Sequence, residues 1–228
     1  MFGRWRYQRK CRTLARQSND SSLTSYIEEC ADLKIDNLAA TPLISVDLEM
    51  TGLDARQNQI IAIGWTQLDK GRLRFGCNRH LLVKAQQSVG HSAAIHELLD
   101  CEVAAGVPLE TALQALFEAA RGRVWLFHYA KLDVDFLRRA CISWAGVAPP
   151  FMVLDTMQME LLLRKRRDLP VQQGDLQLSR LRSSYNLPRY QAHNALIDAC
   201  ATAELLLAIA ARMDPVGSLR LSPYVNYF

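Results

Sequence analysis

The sequence predicts an α/β fold, a mixed five-stranded sheet flanked by helices, and two observations carry that expectation. Three stretches of strand character follow one another between residues 43 and 83 through short turns, which is the pattern of an antiparallel meander. Beyond residue 90, helical periodicity alternates with two short apolar stretches that suit parallel strands. Length and composition agree: 228 residues, half of them hydrophobic and 22% charged, fill one generous domain and exclude a disordered tail or a coiled coil. No apolar run approaches the roughly 18 residues of a membrane span, so a soluble, cytoplasmic protein is expected.

In chain order, residues 1–41 form a basic and then mildly amphipathic extension (Leu23, Tyr26, Ile27, Ala31, Leu33), read as one or two helices laid against the domain. The pattern changes at Pro42, where the main domain (42–213) begins. Leu43 to Glu49 is the first strand, Thr51-Gly52-Leu53-Asp54 a turn, and Gln59 to Gln67 the second strand. The third spans Arg72 to Val83, entered through the Asp69-Lys70-Gly71 turn. Helices are expected near 92–99 and over 109–120, the latter opened by Pro108. Val124 to Phe127 is a fully apolar strand, followed by a helix over 132–141. Met152 to Leu154 is a further strand, followed by helices over 156–165, 176–186 and 194–212. The tail, 214–228, carries too little pattern for assignment.

Charge is unevenly distributed. Arg4, Arg6, Arg9, Lys10, Arg12 and Arg16 stand in the first sixteen residues with no acid, and removing those six from the 27 basic residues leaves 21 against 23 acidic ones. The body of the chain is therefore nearly neutral. The polar stretch from Ser18 to Ser25 argues against an export signal. Six dispersed cysteines without a C-x-x-C pair point to reduced thiols rather than a zinc or redox motif.

The informative residues are acids where the apolar pattern wants none. Asp47 and Glu49 sit two apart on the first strand, so their side chains share a face about 7 Å apart along the backbone and can converge on one ion. A strand end at the exposed rim of the sheet is the alternative. Asp133 shares a helical face with Phe136, Leu137 and Ala140, whereas Asp135 falls roughly opposite and should be solvated. The alternative for Asp133 is an acid favoured in a first helical turn. Asp198 interrupts an apolar run, Ala195 to Ala203, and a lone aspartate there needs a partner. His193, five residues earlier, fits an entering loop that leans over the same site, with an N-terminal capping role as the alternative. Together, four acids and one histidine are the apparatus of two-metal phosphoryl hydrolysis: carboxylates for hard divalent ions and a base for the attacking water.

Three motifs in order, D-x-E-x-T-G at Asp47 to Gly52, H-x(4)-D-x-x-F-L at His128 to Leu137 and H-x(4)-D-A at His193 to Ala199, resemble the DEDDh-type 3′–5′ exonucleases of the ribonuclease H-like superfamily. That group includes the proofreading epsilon subunit of bacterial DNA polymerase III. The resemblance covers roughly Pro42 to Met213. It implies that Asp47, Glu49, Asp133 and Asp198 hold two divalent ions, Mg2+ or Mn2+, with Asp47 as the bridge, and that His193 is the base. It places Met50, Thr51, Ile95, His96 and His128 near the substrate; His96 is equally readable as a polar residue on a helix face. Tyr129 and Leu132 depart from the family's usual asparagine and phenylalanine in the second motif. Asn194 stands where the tyrosine branch of the superfamily carries its tyrosine, so the histidine branch fits.

The resemblance implies release of nucleoside 5′-monophosphates from single-stranded 3′ ends, with DNA favoured over RNA. Asp47 to Asp54 is also similar to oligoribonuclease, which makes RNA or short oligoribonucleotides the alternative substrate. A non-catalytic nucleic-acid-binding module is a third reading, although no acidic ligand is missing. The basic N-terminal arm suits a nonspecific contact to nucleic acid or a protein partner such as a polymerase, and a homodimer agrees with the habits of relatives.

Overall fold

The computed structural model describes residues 2–84, 105–191 and 193–228, so the helix expected over 92–99 and the Ile95-His96 pair lie outside the described residues. Two helices come first, α1 (Phe2–Gln17) and α2 (Ser21–Asp32). Asp20 separates them and caps α2, its carboxylate accepting the amides of Ser22 at 2.8 Å and Leu23 at 3.1 Å. The buried positions of α2 are Leu23, Tyr26, Ile27, Cys30 and Ala31, the i, i+3, i+4, i+7, i+8 stripe of a helix laid on a core. Tyr26 reaches the centre of that core. Its hydroxyl donates to the Pro150 carbonyl at 2.9 Å and accepts the Trp125 indole N–H at 2.8 Å, amid the rings of Phe117 and Phe151.

The sheet is built on β1 (Leu43–Met50) and β2 (Ile60–Asp69), paired antiparallel over their length. Two short strands, β3 (Arg72–Leu73) and β4 (Arg79–Leu82), share the outer edge of β2. They are the expected third strand, broken by a tight turn at Phe75–Cys77. In that break the Asn78 side chain accepts the Thr66 hydroxyl of β2 at 2.6 Å, a side-chain contact in place of regular pairing. After α3 (Leu109–Ala119), β5 (Val124–Phe127) pairs parallel with β1; after α4 (Ala130–Ala145), β6 (Met152–Asp155) pairs parallel with β5. Then follow α5 (Thr156–Arg166), α6 (Leu178–Ser184) and α7 (Ala195–Met213).

The tail is not patternless in space. Asn226–Tyr227 forms β7, which pairs antiparallel with β6, and Phe151 and Phe228 exchange backbone hydrogen bonds at 3.3 and 3.0 Å. Among the described residues the sheet thus has seven strands in place of the expected five, in the order β3-β2-β1-β5-β6-β7 with β4 also on β2. The mixed α/β class is the one expected. The described cysteines, Cys11, Cys30, Cys77, Cys141 and Cys200, are free thiols. No helix among the described residues is long and apolar enough to cross a membrane.

Candidate active site

The parallel strands β1, β5 and β6 end on one side of the sheet, the side on which open α/β sheets bind ligands. β1 outruns its neighbour: its pairing with β5 stops at Ser45 opposite Leu126, and Asp47 and Glu49 lie beyond that point. Alternation along the strand turns both carboxylates to the same face. Glu49 is buried and Asp47 partly so.

Asp198 arrives from α7, which must come very close to the sheet to reach them. Gly64 of β2 stands opposite Asp47, and a Cβ there would lie 2.1 Å from the Ala195 carbonyl carbon and 2.2 Å from the Leu196 nitrogen. Only a glycine lets the first turn of α7 settle on β2. Ser45 fixes the approach from β1, its buried hydroxyl donating to the Ala199 carbonyl at 2.7 Å. Asn194 caps the helix by accepting the Ile197 amide at 3.1 Å. His193 precedes that cap in the left-handed region, φ 69°, and its amide donates to Asp198 at 2.9 Å. The histidine is thus in the entering loop, exposed at the rim of the cleft, and bound through its backbone to the aspartate it accompanies in sequence.

Asp133 arrives from α4, whose start repeats the same device. Tyr129 is left-handed with φ 69°, and the carboxylate of Asp155 accepts the amides of Tyr129 at 3.1 Å and Ala130 at 3.0 Å. The same carboxylate caps α5 through Met157 at 2.9 Å and Gln158 at 3.3 Å. One buried aspartate at the tip of β6 therefore seats two helices. Asp133 is buried, close enough to the Leu48 amide of β1 for that amide to favour its charged form and close enough to Asp47 for the two carboxylates to repel. Asp135 faces outward, beside Lys131 at 3.9 Å.

One ligand oxygen from each of Asp47, Glu49 and Asp198 lies within 4.8 Å of the others. Asp133 stands outside that triad but close enough to raise the pKa of Asp47. Burial, and then the charges of Asp133, Glu49 and Asp198, hold the Asp47 carboxyl well above the ordinary range. Burial and the charge of Asp198 push Glu49 up to about 7. Asp133 is raised by burial, with Asp155 and Glu49 adding to the effect against the lowering pull of the Asp133 and Leu48 amides. Crowded oxygen donors that resist ionisation together are the donor set a hard divalent cation neutralises, so the residues present fit such an ion.

The cleft around them is a cavity of about 720 Å³ between the sheet and α6. Its outer wall is tied together by Arg182. The buried guanidinium donates to the carbonyls of Ala201 at 2.7 Å and Pro188 at 2.9 Å and to Glu204 at 2.8 Å, and it lies 4.4 Å from the Tyr190 ring centroid. Tyr190 in turn donates to Glu204 at 2.8 Å. His128 lines the cavity with both ring nitrogens engaged. Nε2 meets the Leu176 carbonyl at 2.8 Å, so it carries the proton, and Nδ1 accepts the Thr156 hydroxyl at 2.7 Å. Thr51 is drawn into the turn after β1, bonding Asn58 at 3.2 Å and the Gln59 amide at 3.1 Å, and Met50 is half-buried at the end of β1.

The profile of the exonuclease family RNase_T matches residues 44–206, a span that includes all four acids, Asp47, Glu49, Asp133 and Asp198, and His193. The chain belongs to the RNase_T exonuclease family. Among its relatives is the 3′-5′ exonuclease DinG of Staphylococcus haemolyticus, 23% identical over 79% of this chain and 20% of that protein. The chain spans between 12% and 20% of the length of the curated relatives it matches. E. coli Exonuclease I in complex with a dT13 oligonucleotide superposes with a TM-score of 0.61 at 12% identity, over 77% of this chain and 42% of the other. Exonuclease X in complex with 5′ overhanging duplex DNA gives 0.52 at 21% identity, over 80% of this chain and 98% of the other. Likenesses at these identities establish the exonuclease fold.

Sequence reading reached the five motif residues and missed the groups that place them. Gly64 was visible as a glycine inside the apolar run Ile60 to Leu68, a signal of close backbone approach. Asp155 was visible as a helix cap. Ser45, Arg182 and Glu204 carried no local signal, because their partners are distant in sequence.

Proposed function

We propose that this exonuclease works from the 3′ end of single-stranded DNA, releasing nucleoside 5′-monophosphates with two divalent cations, Mg2+ or Mn2+. The observation that carries the reading is the triad of Asp47, Glu49 and Asp198, three oxygen donors from two elements brought within 4.8 Å at the floor of an open cleft. Asp47, Glu49 and Asp198 would hold the ions with Asp133 completing the set, and the ions would supply an activated water and stabilisation of the leaving oxygen. The chain's own groups do the rest. His193, on a loop open to solvent, accepts the water's proton on its imidazole, and Asp198 holds the loop's backbone at the required place. Met50 and the ring of His128 offer apolar surface to the terminal nucleotide, which suits binding without sequence readout. Thr51 acts there by fixing the turn that follows Met50. Complexes of two fold relatives with a dT13 oligonucleotide and with overhanging duplex DNA favour a DNA 3′ end as the first substrate to try.

The test is a gel assay of 5′-labelled single-stranded DNA, duplex DNA, RNA and a ribodinucleotide, with magnesium, manganese or chelator, beside the His193→Ala variant. A ladder that shortens from the 3′ end of DNA, needs the metal and fades in the variant supports the proposal. Preference for RNA or the dinucleotide moves the substrate to the oligoribonucleotide class. No cleavage of any of the four contradicts it.

A further inference from the structure

The basic segment that the cleft leaves unused forms α1, and the outward face of that helix is chemically uniform. Tyr7, Cys11 and Ala15 are buried, Tyr7 with its ring 5.1 Å from that of Tyr227. At about 100° per residue, Trp5, Arg9, Arg12 and Arg16 fall within about 60° of one another on the opposite side, with Arg6 and Lys10 beside them. All six are exposed. The guanidinium of Arg9 lies 4.8 Å from the centroid of the Trp5 ring, which is 55% exposed. The helix holds no acid, and among the described residues none of its five outward cations is in an ion pair.

Its position is remote from the cleft. Asn19, two residues past α1, donates its amide to the Ala145 carbonyl at the far end of α4, while Asp133 lies in the first turn of that helix. The twelve residue steps from Asp133 to Ala145 span about 18 Å at about 1.5 Å each. A strand stacked as it is in a duplex, rising about 3.4 Å per nucleotide, needs about five nucleotides to cover that distance.

We propose that the stripe Trp5-Arg9-Arg12-Arg16 is a second nucleic-acid contact, which grips the phosphates of a single strand whose 3′ end is in the cleft and offers Trp5 as a face for an unpaired base. The proposal rests on the reading of the cleft as an exonuclease site. A membrane surface fits the stripe less well, because a lipid-bound helix presents its apolar face outward, whereas here that face is spent on the core. An arginine stacked on an exposed indole beside further cations is the combination that single strands use, charge for the backbone and a ring for the bases.

The experiment uses the full chain and the Arg9→Gln/Arg12→Gln/Arg16→Gln variant, with its thermal midpoint checked against the wild type. Anisotropy of a labelled thirty-nucleotide oligothymidylate is followed in chelator across a salt series, and cleavage of that strand and of a trinucleotide is followed with manganese. The expected result is an affinity for the long strand lowered about tenfold or more at low salt. The log–log salt slope should be shallower by about two, at about 0.7 per phosphate contact, with the trinucleotide cleaved at the wild-type rate. Trp5→Ala should lower the affinity several-fold and leave the slope unchanged, since stacking releases no counterion. Unchanged affinity and slope in the triple variant, or an equal loss of trinucleotide cleavage, would overturn the proposal. If no substrate is cleaved by the wild type while the triple variant still loses the long strand, the contact stands and the nuclease reading of the cleft is what fails.

Discussion

Two aspartates two residues apart on α4 have opposite surroundings. Asp133 is buried within reach of the charges of Asp47 and Glu49, while Asp135 looks into solvent. Asp133→Asn is expected to abolish cleavage and Asp135→Asn to leave it within about twofold, as for ordinary surface substitutions; a 3′-end assay on both checks this. His193→Ala should keep strand binding and lower turnover about 10²–10⁴-fold, the usual weight of a general base. Both placements were legible from the sequence: helical phase separates buried Asp133 from exposed Asp135, and the spacing to Asp198 sets His193 in the entering loop. The raised pKa of Glu49 was not, since it depends on how closely α7 carries Asp198 to β1. With Glu49 pushed up to about 7, the folded chain keeps a proton that the unfolded chain, near about 4.3, releases. That residue therefore carries no penalty below the unfolded value, and stability falls as pH rises from there through about 7, by on the order of 3 kcal/mol when complete. In chelator the thermal midpoint should drop between pH 5 and 8, and Glu49→Gln should lessen that drop, leaving the part that comes from the raised carboxyls of Asp47 and Asp133.

At the scale of elements, the site depends on how closely helices are seated on strands. Gly64→Ala would drive a methyl group into the backbone of Ala195 and Leu196, so α7 must lift and take Asp198 with it. The expected result is a lower thermal midpoint and loss of cleavage together, in contrast to Asp133→Asn, which should lose cleavage alone. Asp155 accepts four amides at the starts of α4 and α5. Asp155→Ala leaves those donors without their acceptor at about 1–3 kcal/mol for each one buried, and it should rank among the most destabilising single changes in a denaturant series. Arg182→Lys retains the charge and loses the fork that joins α6, Pro188 and α7, so the loop before His193 should loosen and KM rise. Most elements were legible as apolar periodicity: the helices over 109–119, 156–166 and 195–213 stand within about a residue of their expected spans. The third strand and the tail were not. A turn at Phe75–Cys77 interrupts the one, and β7 is a strand only because β6 offers it an edge.

At the scale of the whole molecule, the N-terminal helices share the core with the sheet. Leu23, Tyr26 and Ile27 are fully buried, and each side chain of that kind contributes about 1.5–3 kcal/mol against a net stability of about 5–15 kcal/mol. A chain that starts at Pro42 is expected to be insoluble or strongly destabilised, as its expression and thermal melt would reveal. The sequence announced those helices by amphipathic spacing, but not that the Tyr26 hydroxyl would sit between Trp125 and Pro150, a contact across about a hundred residues. All these parts serve one claim, that Asp47, Glu49 and Asp198 form a cation site on which cleavage depends. The most direct test is a calorimetric Mn2+ titration of the wild type and of Asp47→Asn, each paired with 3′-end cleavage of single-stranded DNA. Saturable binding by the wild type, lost together with cleavage in Asp47→Asn, is the predicted result. Wild-type cleavage by Asp47→Asn, or a wild type that cleaves while binding no cation, would contradict it.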